Sequence, residues 1–141
     1  MSFSEFMKSN KKVRENVKYA ATKSLTDKNG RPLEWELRPI TTKMNDKIRE
    51  GCTMEVPVKG KPNMFRQKTD TSAYQNKLMV AAVVFPDLND RELQDSYGVM
   101  TPEDLLKEMV DDAGEYTDLM LKVQEISGFT TLSEDIEEAK N

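Results

Sequence analysis

Residues 73–100 read AYQNKLMVAAVVFPDLNDRELQDSYGVM. They contain the longest apolar run of the chain, Leu78 to Phe85, then a Pro86-Asp87 break and a second short amphipathic piece closed by Gly98. Asp70 or Thr71 is placed to cap a helix here, with Tyr74, Leu78, Ala81 and Phe85 on one stripe and Ala73, Lys77, Val80 and Val84 beside it. Apolar groups nearly all round the second half of that helix predict burial on several sides. The run holds eight residues, against the ~20 a membrane span requires. It is therefore the packing element on which a polar chain builds its core.

The rest of the chain is lean. The hydrophobic fraction is 37% and the charged fraction 33% of 141 residues, which suits one domain of ordinary size. The predicted organisation is a single α+β domain over residues 1–132 and an acidic flexible tail over 133–141. The first residues show no apolar stretch of the kind a signal peptide carries. Cys52 is the only cysteine, so a reducing, cytoplasmic setting is expected. Net charge is -4, but it is unevenly spread: residues 1–70 hold 16 Lys/Arg against 9 Asp/Glu, and residues 71–141 hold 5 against 16. Such halves act as partner surfaces, pair with each other, or remain solvated faces.

Working outward on the N-terminal side, residues 54–70 are basic and punctuated by Pro57, Gly60 and Pro62, and read as a loop. Gly60-Lys61 is followed by Pro62, so the phosphate-loop pattern fails. Before it, Thr41 or Thr42 caps a helix to about Cys52, with Met44, Ile48 and Cys52 on one face. Residues 16–40 read as a β-hairpin. Val17, Tyr19 and Ala21 alternate with Lys18, Ala20 and Thr22, Asn29-Gly30 supplies the turn, and Leu33, Trp35 and Leu37 alternate with Glu34, Glu36 and Arg38. A lone hairpin is marginal in water, so it must pack on the helices of residues 41–128. Ser2 to Ser9 reads as a short helix with Phe3, Phe6 and Met7 on one side. Lys8, Lys11, Lys12, Arg14 and Lys18 form a basic patch, either a contact for phosphates or acidic partners or a solubilising connector.

On the C-terminal side, Asn89 is placed to cap a helix containing Leu93 and Tyr97. Thr101-Pro102-Glu103-Asp104 starts the next with an N-cap, a proline at N1 and acids against the dipole. Leu105, Leu106, Met109 and Val110 form its apolar face. Asp111 to Gly114 interrupt it, and Tyr116, Leu119, Met120, Val123 and Ile126 belong to a last helix ended by Gly128.

Chemistry-bearing groups are scarce. There is no histidine, which removes the usual base for a nucleophilic cysteine and the usual partners for zinc. Asp87-Leu88-Asn89-Asp90 and Asp111-Asp112 do not match a calcium loop. No cofactor fingerprint occurs, so neither catalysis, a metal nor a cofactor is expected. Nine methionines are present. Met79, Met100, Met109 and Met120 lie on or near helical apolar faces, where flexible thioethers either fill a core or adapt to an apolar ligand.

Four blocks carry a family resemblance: Asn16-Val17-Lys18-Tyr19; Leu33-Glu34-Trp35-Glu36-Leu37-Arg38-Pro39-Ile40; Phe85 to Asp90 with Leu93 to Met100; and Val123-Gln124-Glu125-Ile126-Ser127-Gly128-Phe129. In that order they resemble the XkdN-like tail assembly chaperones of long-tailed phages and related prophages. The resemblance implies a non-catalytic protein of the host cytoplasm, absent from the mature virion, that binds the tape measure protein and assists tail tube assembly. Tail tube protein and a frameshifted longer form of the chain are further implied partners, and Ala139-Lys140-Asn141 is codable by a slippery A-AAA-AAC run. Self-association is compatible; a membrane is not implied, and nucleic acid is disfavoured by the acidic balance. On this reading helices between Tyr97 and Val123 hold apolar parts of the partner through Tyr97, Met100, Met109, Leu119, Met120 and Val123, while the basic first half meets tail tube subunits or acidic segments. Two other readings compete: a structural tail or baseplate component, and a nucleic-acid-binding regulator using Lys8 to Lys18 and Lys59 to Lys68.

Overall fold

The structure, a computed structural model, describes residues 2–129. The expected acidic tail and the 139–141 ending lie outside the described residues. The fold is α+β: among the described residues there are five short α-helices, a three-stranded sheet and a separate two-stranded one. Among the described residues no helix is long and apolar enough to cross a membrane.

Strands β1 (Val17–Tyr19) and β2 (Trp35–Leu37) pair antiparallel, with Tyr19 opposite Trp35 and Val17 opposite Leu37. They form the expected hairpin, but shorter than the alternation suggested. Its connection is held by Asp27, whose Oδ1 accepts from Asn29 N at 2.8 Å and Arg31 N at 3.0 Å, with Gly30 at φ 80°. Leu33 falls in that connection and is exposed, while Trp35 and Leu37 are buried. At the N-terminus, the expected helix is two single 3-10 turns, Ser4–Phe6 and Lys8–Asn10, and Phe3, Phe6 and Met7 stay in solvent.

Helix α1 (Thr42–Gly51) is capped by Thr41, which accepts from Met44 N. Helix α2 (Thr71–Ala82) is capped by Asp70, which accepts from Ala73 N. It lies against α1 and the two C-terminal helices and buries Leu78, Met79 and Ala82. Each such fully buried large side chain contributes roughly 1.5–3 kcal/mol. The apolar run does not remain helical to Pro86 as expected. It leaves the helix after Ala82 and continues as β5 (Val83–Phe85), antiparallel to β2, giving the order β1-β2-β5. Val83, Val84 and Phe85 are stiff at χ1 or aromatic and favour an extended backbone. Arg38 N donates to Ala82 O at 2.8 Å where the sheet takes over from the helix.

Helix α3 (Arg91–Ser96) is capped by Asp90, not Asn89; Asn89 sits one residue earlier and donates its N–H to Asp87 Oδ1. Helix α4 (Pro102–Met109) has the Thr101 cap and N1 proline that its sequence predicts. Helix α5 (Ala113–Ile126) starts sooner than expected. Asp112 accepts from Gly114 N and Glu115 N, so Ala113 and Gly114 form its first turn rather than an interruption. One core joins all these parts: Ala21, Trp35 and Leu37 from the hairpin region, Met79 from α2, Leu105 and Leu106 from α4, and Leu119 and Val123 from α5.

Candidate partner interface

The apolar residues expected to face a partner divide sharply. Leu119 and Val123 are fully buried and Met109 nearly so. Tyr97 and Met120 are half-buried against the same core. Only Met100, at 90% exposure, stands in water. The buried apolar residues of α4 and α5 join one core with those of α2, so Met109, Leu119 and Val123 present no surface to a partner in this conformation. The six residues do not form one patch.

The exposed apolar surface is elsewhere. Residues 54–70, expected as a loop, contain β3 (Thr53–Pro57) and β4 (Phe65–Thr69), an antiparallel ribbon with Thr53 opposite Thr69 and Pro57 opposite Phe65. No residue of this arm is buried. Directly opposed residues share a face, so Met54, Val56 and Val58 lie on one side with Lys68, Arg66 and Met64, the last pair joined by a Val58 N to Met64 O bond of 2.9 Å. Met54 is 65% and Met64 53% exposed, and Phe65 on the opposite face is 60% exposed. Between Thr53 and Thr69 the only carboxylate is Glu55, against Lys59, Lys61, Arg66 and Lys68. The arm is therefore an apolar ribbon edged with positive charge.

Its base is well anchored. Thr53 Oγ1 donates to Arg49 O at 2.8 Å, which leaves the Thr69 hydroxyl to donate to Thr53 Oγ1, also at 2.8 Å. Asp70 N donates to Cys52 O at 2.8 Å, and Cys52 is buried below. Arg49 also lies over the Tyr74 ring, 5.5 Å from its centroid, a favourable cation–π distance. The signal for this arm was present in Met54, Val56 and Val58, which alternate with Glu55 and Pro57, but prolines and lysines obscure it.

Two further surfaces carry charge. A groove near the end of β1 is lined by Tyr19, Asp111, Asp112, Glu115 and Asp118. Burial, then the charges of Asp118 and Glu115, push the Tyr19 hydroxyl above the usual phenol range. Asp112 Oδ1 accepts two backbone N–H groups as the cap of α5, the role an N-cap carboxylate ordinarily fills. On another side, a groove of about 610 Å³ is lined by Lys8, Lys11, Lys12, Arg14 and Arg38 around Val13, Pro39 and Met44. Nearby, the side chains of Lys18 and Asn16 donate to Glu36, and these bonds hold the Glu36 carboxyl below the ordinary range.

Comparison with known proteins adds a history to this geometry. Residues 3–140 match the family model described as phage XkdN-like tail assembly chaperone protein. The phage-like element PBSX protein XkdN of Bacillus subtilis strain 168 is 30% identical over 128 residues, spanning 90% of this chain and 85% of that protein. The uncharacterized protein YqbN of the same strain is 29% identical over 125 residues, 89% of this chain and 83% of YqbN. A crystal structure of YqbN has the same fold, with a TM-score of 0.75 at 23% identity over 92% of this chain and 98% of that one.

Proposed function

The chain belongs to the phage XkdN-like tail assembly chaperone family, and from that premise we propose that it holds the tape measure protein soluble while the tail tube assembles. The observation that carries this reading is the β3–β4 arm, a ribbon whose Met54, Met64 and Phe65 side chains remain in water. Methionine and valine beside Arg66 and Lys68 suit an amphipathic helix with an apolar stripe and acidic flanks. Met100, with the exposed parts of Tyr97 and Met120, forms a second contact. Tail tube protein, a longer form of the same chain and a second copy are further partners. The work is done in the host cytoplasm without making or breaking covalent bonds, and the protein leaves before the particle is complete.

Co-expression with the tape measure protein of the same phage tests it. The wild-type chain keeps the partner soluble and co-purifies with it. Replacing Met54 and Met64 by Glu reduces the recovered complex at least tenfold while leaving the circular dichroism of the chaperone unchanged. A partner equally soluble without the chaperone, or an arm variant that binds as the wild type does, overturns the reading. So does a fixed stoichiometry of this chain in purified virions, which would make it a structural component.

A further inference from the structure

We propose that the acidic C-terminal segment of this chain, residues 130–141, docks in the basic groove formed by Lys8, Lys11, Lys12, Arg14 and Arg38. The argument begins with where the described chain ends. Ser127 Oγ accepts a hydrogen bond from Ile40 N at 2.9 Å, beside Pro39 and Thr41 of the groove wall. A methyl group on Gly128 would lie 3.8 Å from Arg14 Nη1. Phe129 therefore leaves the last helix at the rim of the groove, with Arg14 alongside.

The sequence that continues from this point is TTLSEDIEEAKN. It carries Glu134, Asp135, Glu137 and Glu138 against one lysine, Lys140. The ion pairs of the described residues are Lys18–Glu36, Lys77–Glu103 and Lys122–Glu125. None of them uses a cation of the groove. The continuing sequence thus holds four carboxylates, and the five cations of the groove have no carboxylate partner among the described residues. The same sequence contains Leu132 and Ile136, and the groove lining includes the apolar Val13, Pro39 and Met44. Reach is not limiting: twelve residues span up to about 40 Å when extended. Individual exposed pairs are weak, but a tethered segment is held at a high effective concentration, so several weak pairs suffice.

Zero-length carbodiimide coupling of the isolated, full-length chain tests this without any tail protein present, so its outcome is independent of the tape measure reading. The expected products are cross-links from Lys8, Lys11 or Lys12 to Glu134, Asp135, Glu137 or Glu138 within one chain, with a yield independent of protein concentration. They fall at least fivefold at about 0.5 M salt, where charges are screened within about 4 Å. In the variant E134Q/D135N/E137Q/E138Q, trypsin cuts after Lys11 and Lys12 several-fold faster than in the wild type. Absence of these cross-links at low salt, cross-links found only in covalent dimers, or unchanged cleavage in the variant overturns the proposal.

Discussion

Thr22 is the one polar side chain among the described residues that the core closes over, at 1% exposure. Its Oγ1 donates to Glu115 Oε1 at 2.8 Å. That proton assignment makes Ser24 Oγ the donor in the 2.7 Å contact between the two hydroxyls. Lys23 N donates to the other carboxylate oxygen, Oε2, at 2.8 Å. One carboxylate in the first turn of α5 thus ties down the segment that follows β1, across more than ninety residues of sequence. Hydrogen bonds to a charged group are worth roughly 1.5–3 kcal/mol, and a partner left unsatisfied in a buried place loses that amount. Thr22→Val keeps the shape and removes the donor, so urea unfolding should show a loss of roughly 1.5–3 kcal/mol. Thr22→Ser retains the hydroxyl and should recover most of it. A valine variant within about 0.5 kcal/mol of wild type, the range of an indifferent substitution, would show the tie to be unimportant.

Among elements, the arm is set apart from the core. The Thr53–Thr69 pair closes its base, and no residue beyond that pair is buried. Replacing residues 54–68 by Asn-Gly joins two opposed residues through a turn that antiparallel strands accept. Thermal unfolding of that variant should stay within about 1 kcal/mol of the full chain, while recovery of the tape measure complex is lost. A variant that no longer unfolds cooperatively would show the arm to be part of the core. The arm also marks the limit of what sequence could reveal. Thr41, Asp70 and Thr101 were legible as caps because a side-chain oxygen and a short spacing suffice to define one. Trp35 and Leu37 were legible because a half-buried strand alternates. Neither face of β3–β4 is buried, so no such alternation of apolar and polar residues is required along it. Val83 to Phe85 were misread as helix because a run that is apolar on all sides has no period, and pairing with β2 decided its conformation. Asp90 displaced Asn89 by one residue, and Asp112 started α5 early; both errors lie within the ordinary uncertainty of helix ends. Short helices use their apolar stripes first on the shared core, which is where Met109, Leu119 and Val123 lie.

At the scale of the whole molecule, β2 sits between strands distant in sequence, and α2 sits between α1 and the C-terminal helices. The core draws on residues from Ala21 to Val123. No described ion pair joins the basic first seventy residues to the acidic remainder, so the charge division is not what holds the two halves together; apolar burial is. Truncation tests this directly. Ending the chain after residue 112 removes Leu119 and Val123, the Ser127 oxygen that serves Ile40 N, and the Glu115 anchor. The two apolar side chains alone represent several kcal/mol at ~2–5 kcal/mol per buried leucine-sized deletion, a large part of the 5–15 kcal/mol that such domains possess. The truncated chain should therefore lose its cooperative thermal transition and the blue-shifted emission of buried Trp35. Leu121→Lys on the outer side of the same helix, where the side chain is 44% exposed, should shift stability by no more than about 0.5 kcal/mol. Retention of native Trp35 emission by the truncated chain would mean that α5 is an accessory to the fold, and its apolar stripe would again be available for a partner.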